Sequence, residues 1–181
     1  MKHSKQGIVT FNSLLRVKNI NYPQITSHYL NMRIGDLYLK DVRGDYQLFD
    51  PSEGKIVQEL VNHKTPCNWY KSRVFDEKKK DYSYQPIQYV SKEFIPQDFY
   101  EVIFENATIL VTLEQEILTT HGWKNALSLG ANSVFFDGSL FLTKFKKMCY
   151  HGKLPGFKVS FNTFDDPVDN IVINGIVIKN N

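Results

Sequence analysis

Ile171-Val172-Ile173-Asn174-Gly175-Ile176-Val177-Ile178-Lys179-Asn180-Asn181 is two apolar triplets joined by Asn-Gly, and the chain ends three residues after the second triplet. A two-residue turn of type I′ needs positive φ at both central positions, and Asn-Gly supplies it at low steric cost. The stretch therefore reads as a tight β-hairpin made almost wholly of β-branched residues. Such a hairpin has no polar face to show to water, so it is expected in the interior, with the C-terminus drawn inside the fold.

Working outward, the same signals recur through the chain. Apolar and β-branched residues come in short runs, with thirteen Phe and ten Tyr, and no stretch sustains helical periodicity beyond about ten residues. The expected class is all-β, built from many short strands. Thr108-Ile-Leu-Val-Thr112 reads as a buried strand, Tyr100–Phe104 as an alternating one, and Ser133–Phe136 as another that runs to a turn at Asp137-Gly138. Further upstream, a strand ending at Val42, a turn at Arg43-Gly44-Asp45, a strand Tyr46–Phe49, a turn at Asp50–Gly54 and a strand from Ile56 follow from Gly and Pro placement. Residues 1–25 read as an N-terminal arm, since their apolar positions fit two phases and Pro23 ends them. Residues 26–181 form the domain, with a polar insertion at about 62–97. The run Asp76-Glu-Lys-Lys-Lys-Asp81 within it is expected to be a solvated loop tip.

Composition limits the function classes. A net charge of +3 gives no electrostatic case for nucleic acid, so such a partner is not expected. No apolar run approaches the roughly 20 residues of a membrane span, and the first residues lack the apolar core of a signal peptide. The chain is accordingly expected to be neither secreted nor membrane-bound. Cys67 and Cys149 suggest free thiols. His121, Cys149 and His151 lack paired metal-ligand spacing, and the basic cluster Lys144, Lys146 and Lys147 with Phe145 and Tyr150 reads as a solvated hairpin end. No metal, cofactor or small-molecule substrate is expected. There is no phosphate-binding glycine loop, Gly-x-Ser-x-Gly or His-Glu-x-x-His.

Three blocks, in order, resemble the Hint fold, which inteins, hedgehog autoprocessing domains and bacterial intein-like domains share. Asp41-Val42-Arg-Gly44-Asp45 is similar to an Asp-Ile-x-x-Gly-Asp segment near the start of such domains, one residue short. Ile109-Leu-Val-Thr112-x-x-Gln115, followed by Gly122-Trp123-x-x-Ala126-x-x-Leu129, resembles the second block. Val159–Phe164 with the terminal hairpin resembles the end of an intein, from about Val168 to Asn180. The resemblance implies a horseshoe of short strands with Trp123 as a core anchor.

It also implies a chemistry. In that family an N-terminal Cys or Ser attacks the carbonyl before it, and the His of Thr-x-x-His strains and protonates that peptide. A penultimate His assists cyclisation of a terminal Asn, which a Cys, Ser or Thr follows. Here no Cys falls in residues 15–30, and Ser27 is the nearest hydroxyl. Gln115 stands for the imidazole after Thr112, Asp169 for the upstream His, Lys179 for the penultimate His, and Asn181 for the last nucleophile. A glutamine has no proton to exchange near neutral pH, and a lysine with a pKa of about 10.4 is a poor proton shuttle. Thr112 and Asn180 alone match. The expectation is a non-catalytic structural or assembly protein on a splicing-inactive scaffold. Other subunits of a larger assembly would be its partners, and a bacteriophage virion, tail or baseplate or the host cytoplasm its location. An autoprocessing domain, in which Ser27 attacks or Asn180 cyclises, is the alternative.

Overall fold

The structure is a computed structural model that describes residues 6–20, 29–39, 49–50, 55–56, 64–93, 95–162 and 168–181. Among these residues nearly all regular structure is β, as the short runs of β-branched and aromatic residues predict. One sheet runs in the order Phe157–Phe161, Asp81–Lys92, Tyr70–Asp76, Leu14–Asn19, Tyr29–Arg33, with Lys64–Pro66 pairing to Asp81–Lys92. The second runs Asn170–Ile173, Ile176–Lys179, Glu116–Thr119, Ser133–Phe135, Leu142–Leu154, Gln97–Phe104, Thr108–Val111, with Gly122–Asn125 on Glu116–Thr119. No helix of the described residues is long and apolar enough to cross a membrane.

The terminal hairpin lies between two apolar layers. Asn174 and Gly175 take φ of 49° and 84°, as the type I′ reading requires, and Ile171↔Ile178, Val172↔Val177 and Ile173↔Ile176 pair across the strands. Because side chains alternate along a strand, the isoleucines face the main core, while Val172 and Val177 join Phe75, Leu118 and Phe135 on the other side. Both faces are dry. Asn174 also ties the turn to distant strands: its Oδ1 accepts the Leu14 N–H at 2.7 Å and its Nδ2 donates to the Thr108 carbonyl at 2.8 Å.

Three sequence expectations need correction. The first concerns the arm. From Gln6 to Asn19 the chain is part of the core, with Val9, Leu15 and Val17 wholly buried. Val9 exchanges both backbone hydrogen bonds with Phe157, at 2.9 and 2.8 Å, and also bridges to Val111, which joins the two sheets. Its pairing partners lie so far along the chain that no local pattern announces them.

The second concerns the strand through Leu37 to Val42. Ile34–Leu39 is a short α-helix, set by burial of Ile34 and Leu37 one turn apart and by the Arg33–Asp36 ion pair at 2.8 Å. Its first two N–H groups reach back to the carbonyls of Ser13 and Phe11. An ordered Gly-Asp pair, Gly35-Asp36, lies in this helix, whereas Arg43-Gly44-Asp45 lies outside the described residues. Phe49–Asp50 pairs with Lys55–Ile56, and residues 51–54 of the expected turn lie outside the described residues.

The third is the insertion. Residues 64–93 are integral strands, with Tyr70–Asp76 and Asp81–Lys92 forming a long hairpin in the first sheet. The charge run does mark its exposed tip. Asp76 Oδ1 accepts the N–H groups of Lys78 and Lys79 at 2.9 and 3.1 Å, which holds its carboxyl below the usual range.

Candidate functional site

The site is built where the N-terminal segment, the Thr112–Glu116 turn and the last strand meet. A turn bond from Gln115 N–H to the Thr112 carbonyl, 3.1 Å, aims the Gln115 side chain inward, where it is fully buried. Gln115 Oε1 accepts the Gly7 N–H at 2.7 Å. Since that amide needs an acceptor, the side-chain amide orientation is settled by it, and Nε2 faces three oxygens: Gln6 Oε1 at 3.0 Å and the carbonyls of Glu116 and Lys179 at 2.9 Å each. One glutamine thus holds the Gln6–Gly7 peptide on one side and the chain's end on the other.

Asn180 closes the site from the C-terminal side. It is nearly fully buried, its N–H donates to the Asp169 carbonyl at 2.7 Å, and its Nδ2 donates to the Val159 carbonyl at 3.0 Å. Among the described residues its Oδ1 has no hydrogen-bond partner although it is buried, and the same holds for the Thr112 hydroxyl. Gly7 and Asn180 are in direct contact. A Cβ on Gly7 would lie 2.0 Å from Asn180 Oδ1, and the φ of +79° at Gly7 is one that L side chains rarely adopt. Position 7 is glycine for both reasons.

The structure brings together Thr112, Gln115 and Asn180 of the positions singled out from sequence. Asp169 takes part through its backbone carbonyl, and its carboxylate lies 3.5 Å from Asn170 Nδ2 instead. The Lys179 ammonium points away, 3.6 Å from the Glu116 carboxylate and 5.5 Å from the centre of the Trp123 ring. Trp123 is only partly buried beside the smaller core layer, with this cation over its ring. Ser27 lies outside the described residues. Among the described residues no three His, Cys, Asp or Glu side chains converge as metal ligands would. Cys149 is an exposed thiol beside Glu101, and His121 and His151 are exposed.

Sequence reasoning missed Gln6, Gly7 and Lys158. The Lys158 ammonium donates to the Asn181 carbonyl at 3.0 Å, and burial lowers its pKa, with Glu93 and Tyr89 opposing. The signal for Gly7 was the isolated glycine before the apolar Ile8-Val9, which had no local partner to give it meaning.

Chemically, the arrangement brings together two peptide junctions, Gln6–Gly7 and Asn180–Asn181, with Gly7 packed against Asn180. At the first, Gly7 offers no side chain to attack the Gln6 carbonyl. At the second, Asn180 carries a carboxamide that can attack its own carbonyl carbon. Among the described residues no imidazole is in the set of groups that touch either one.

No family model matches the sequence, and no curated protein does. Solved structures do. A variant of the Ssp DnaB mini-intein is 14% identical, with a TM-score of 0.66 over 98% of this chain and 97% of that one. A DnaB intein from Synechocystis sp. is 15% identical, with a TM-score of 0.63 over 96% and 98%. The PabCDC21-1 intein is 12% identical, with a TM-score of 0.67 over 99% and 100%. At such identities the likeness speaks for architecture alone, and it covers nearly the whole chain: this protein has the Hint fold of the inteins.

Proposed function

We propose that this chain is an intein-like autoprocessing domain reduced to one half of the reaction, cyclisation of Asn180 with release of the residue after it. The observation that carries the reading is Asn180 itself, buried, packed on Gly7 and fixed at its N–H by Asp169. In this step Asn180 Nδ2 attacks the Asn180 main-chain carbonyl carbon. The new C–N bond closes a succinimide as the bond to Asn181 breaks, and a proton from Nδ2 ends on the released amine. Nδ2 must first leave the Val159 carbonyl, so side-chain rotation precedes attack. General acid-base assistance contributes about 10²–10⁴-fold where an imidazole is present. Without one, the reaction here is expected to be slow.

The other junction is held but not attacked. Ester formation needs a hydroxyl or thiol on the residue after the scissile bond, and Gly7 has none. A purely structural scaffold, including the virion, tail or baseplate role, is the competing reading. Gln115 in place of an imidazole and the diverted Lys179 favour it. The N-terminal segment gives that reading little to dock with, because Val9, Leu15 and Val17 are buried within this chain and Val9 pairs with Phe157. Intact-mass measurement of the purified chain over time separates them. Loss of Asn181 with a dehydrated C-terminus supports cyclisation, and an unchanged mass supports the scaffold.

A further inference from the structure

Gln115 is engaged by more than the Gly7 amide. The side chain of Gln6 inserts beside it and is bound at both ends of its carboxamide. Gln6 Nε2 donates to the Glu114 carbonyl at 2.7 Å, while Gln6 Oε1 accepts from the Glu116 N–H at 2.8 Å and from Gln115 Nε2 at 3.0 Å. One donor and two acceptor contacts, two of them to backbone, match a primary amide and little else. A glutamate there would set a carboxylate oxygen against the Glu114 carbonyl. A lysine or arginine cannot accept from the Glu116 N–H. An asparagine is one methylene too short to reach both backbone groups.

We propose that residues 114–116 form a carboxamide-reading subsite whose ligand is a peptide bearing glutamine immediately before the clamped N–H, and that this chain fills it with its own Gln6-Gly7. In this reading Gln115 is a working part of the clamp. It accepts from the main chain of residue 7 and donates to the side chain of residue 6, which requires the two faces of an amide. An imidazole at position 115 offers one nitrogen toward the site at a time and cannot meet both demands. The glutamine at 115 and the glutamine at 6 therefore belong together. The subsite concerns the same cleft as the proposed reaction, yet it does not need Asn180 to react.

The test is residue-resolved amide hydrogen exchange on the full chain and on Gln6→Met and Gln6→Glu, at neutral and at acid pH. Gln6→Met keeps the length and loses the three side-chain hydrogen bonds to Glu114, Gln115 and Glu116. Protection at Glu116 and Gly7 is expected to fall about tenfold or more, as loss of one to two hydrogen bonds implies. The amides of Ile171–Ile178 stay as in the parent and report that the fold is intact. In Gln6→Glu the same protection is lost near neutrality and returns, relative to the parent at the same pH, once the carboxyl is protonated and can donate again. Unchanged protection at Glu116 and Gly7 in Gln6→Met overturns the proposal, as does a Gln6→Glu variant whose protection ignores pH. Cleavage at Asn180 is read by mass instead, so either claim can fail without the other.

Discussion

Replacing Gly7 by alanine probes the contact on which the site depends. The new Cβ would sit 2.0 Å from Asn180 Oδ1, 2.9 Å from its Cγ and 3.2 Å from its Cα, at a φ of +79°. A left-handed backbone costs a non-glycine residue roughly 1–2 kcal/mol. Forcing a methyl into a packed site adds about 1–3 kcal/mol. Gly7→Ala should therefore destabilise by about 2–5 kcal/mol, the sum of these two terms. The steric part belongs to the Asn180 side chain, because its two closest atoms are Oδ1 and Cγ. Asn180→Ala alone gives up the bond to Val159 and also removes an unpaired buried oxygen, a net loss of about 1 kcal/mol. The double variant should then be less destabilised than the sum of the singles by about 1–3 kcal/mol, since the clash is gone while the backbone cost stays. Urea unfolding of the four proteins, with unchanged slopes, measures this coupling. Strict additivity would refute the idea that the two ends of the chain meet at one point.

Groups outside the pocket carry further expectations. The Tyr82 hydroxyl is buried with no hydrogen-bond partner among the described residues, and burial raises its pKa well above the ordinary value of 10.0. A raised pKa contributes stability that is fully present below the unfolded value and lost as pH climbs past it, because the unfolded chain ionises first. Tyr82→Phe should raise stability by about 1 kcal/mol at neutral pH, and its melting temperature should fall less steeply above about pH 10. Asn174→Ala removes the links to Leu14 and Thr108 and places a residue other than Asn or Gly at φ 49°, so thermal unfolding should show a loss of about 2–3 kcal/mol.

How far the sequence could be read depended on the range of each signal. The terminal hairpin was legible because Asn174-Gly175 is a local device and because neither Ile171–Ile173 nor Ile176–Ile178 has a polar position to expose. Thr112 and Gln115 could be paired on sight because a single turn joins them. The N-terminal segment was illegible for the opposite reason. Val9 is held by Phe157 and Val111, and Gly7 by Gln115 and Asn180, all about a hundred or more residues away. The helix Ile34–Leu39 spans too few turns for a periodicity to form, so its second half, from Leu37, looked like the start of a strand. The stretch from 64 to 93 looked like an insertion because its strands expose one face, and a polar face over several residues resembles a loop in composition. Lys179 was read from sequence as a poor substitute for an imidazole. Its removal from the site by Glu116 and Trp123 needed coordinates.

The central claim, that only the Asn180 junction retains chemistry, is tested most directly by following the intact mass of the purified chain and of Asn180→Ala side by side, with and without thiol and hydroxylamine. The predicted result is slow loss of Asn181 from the parent, a product ending in a succinimide, no loss from Asn180→Ala, and no break between Gln6 and Gly7 under either nucleophile. A parent that keeps its full mass throughout, or any thiol-dependent cleavage at Gln6–Gly7, would contradict it.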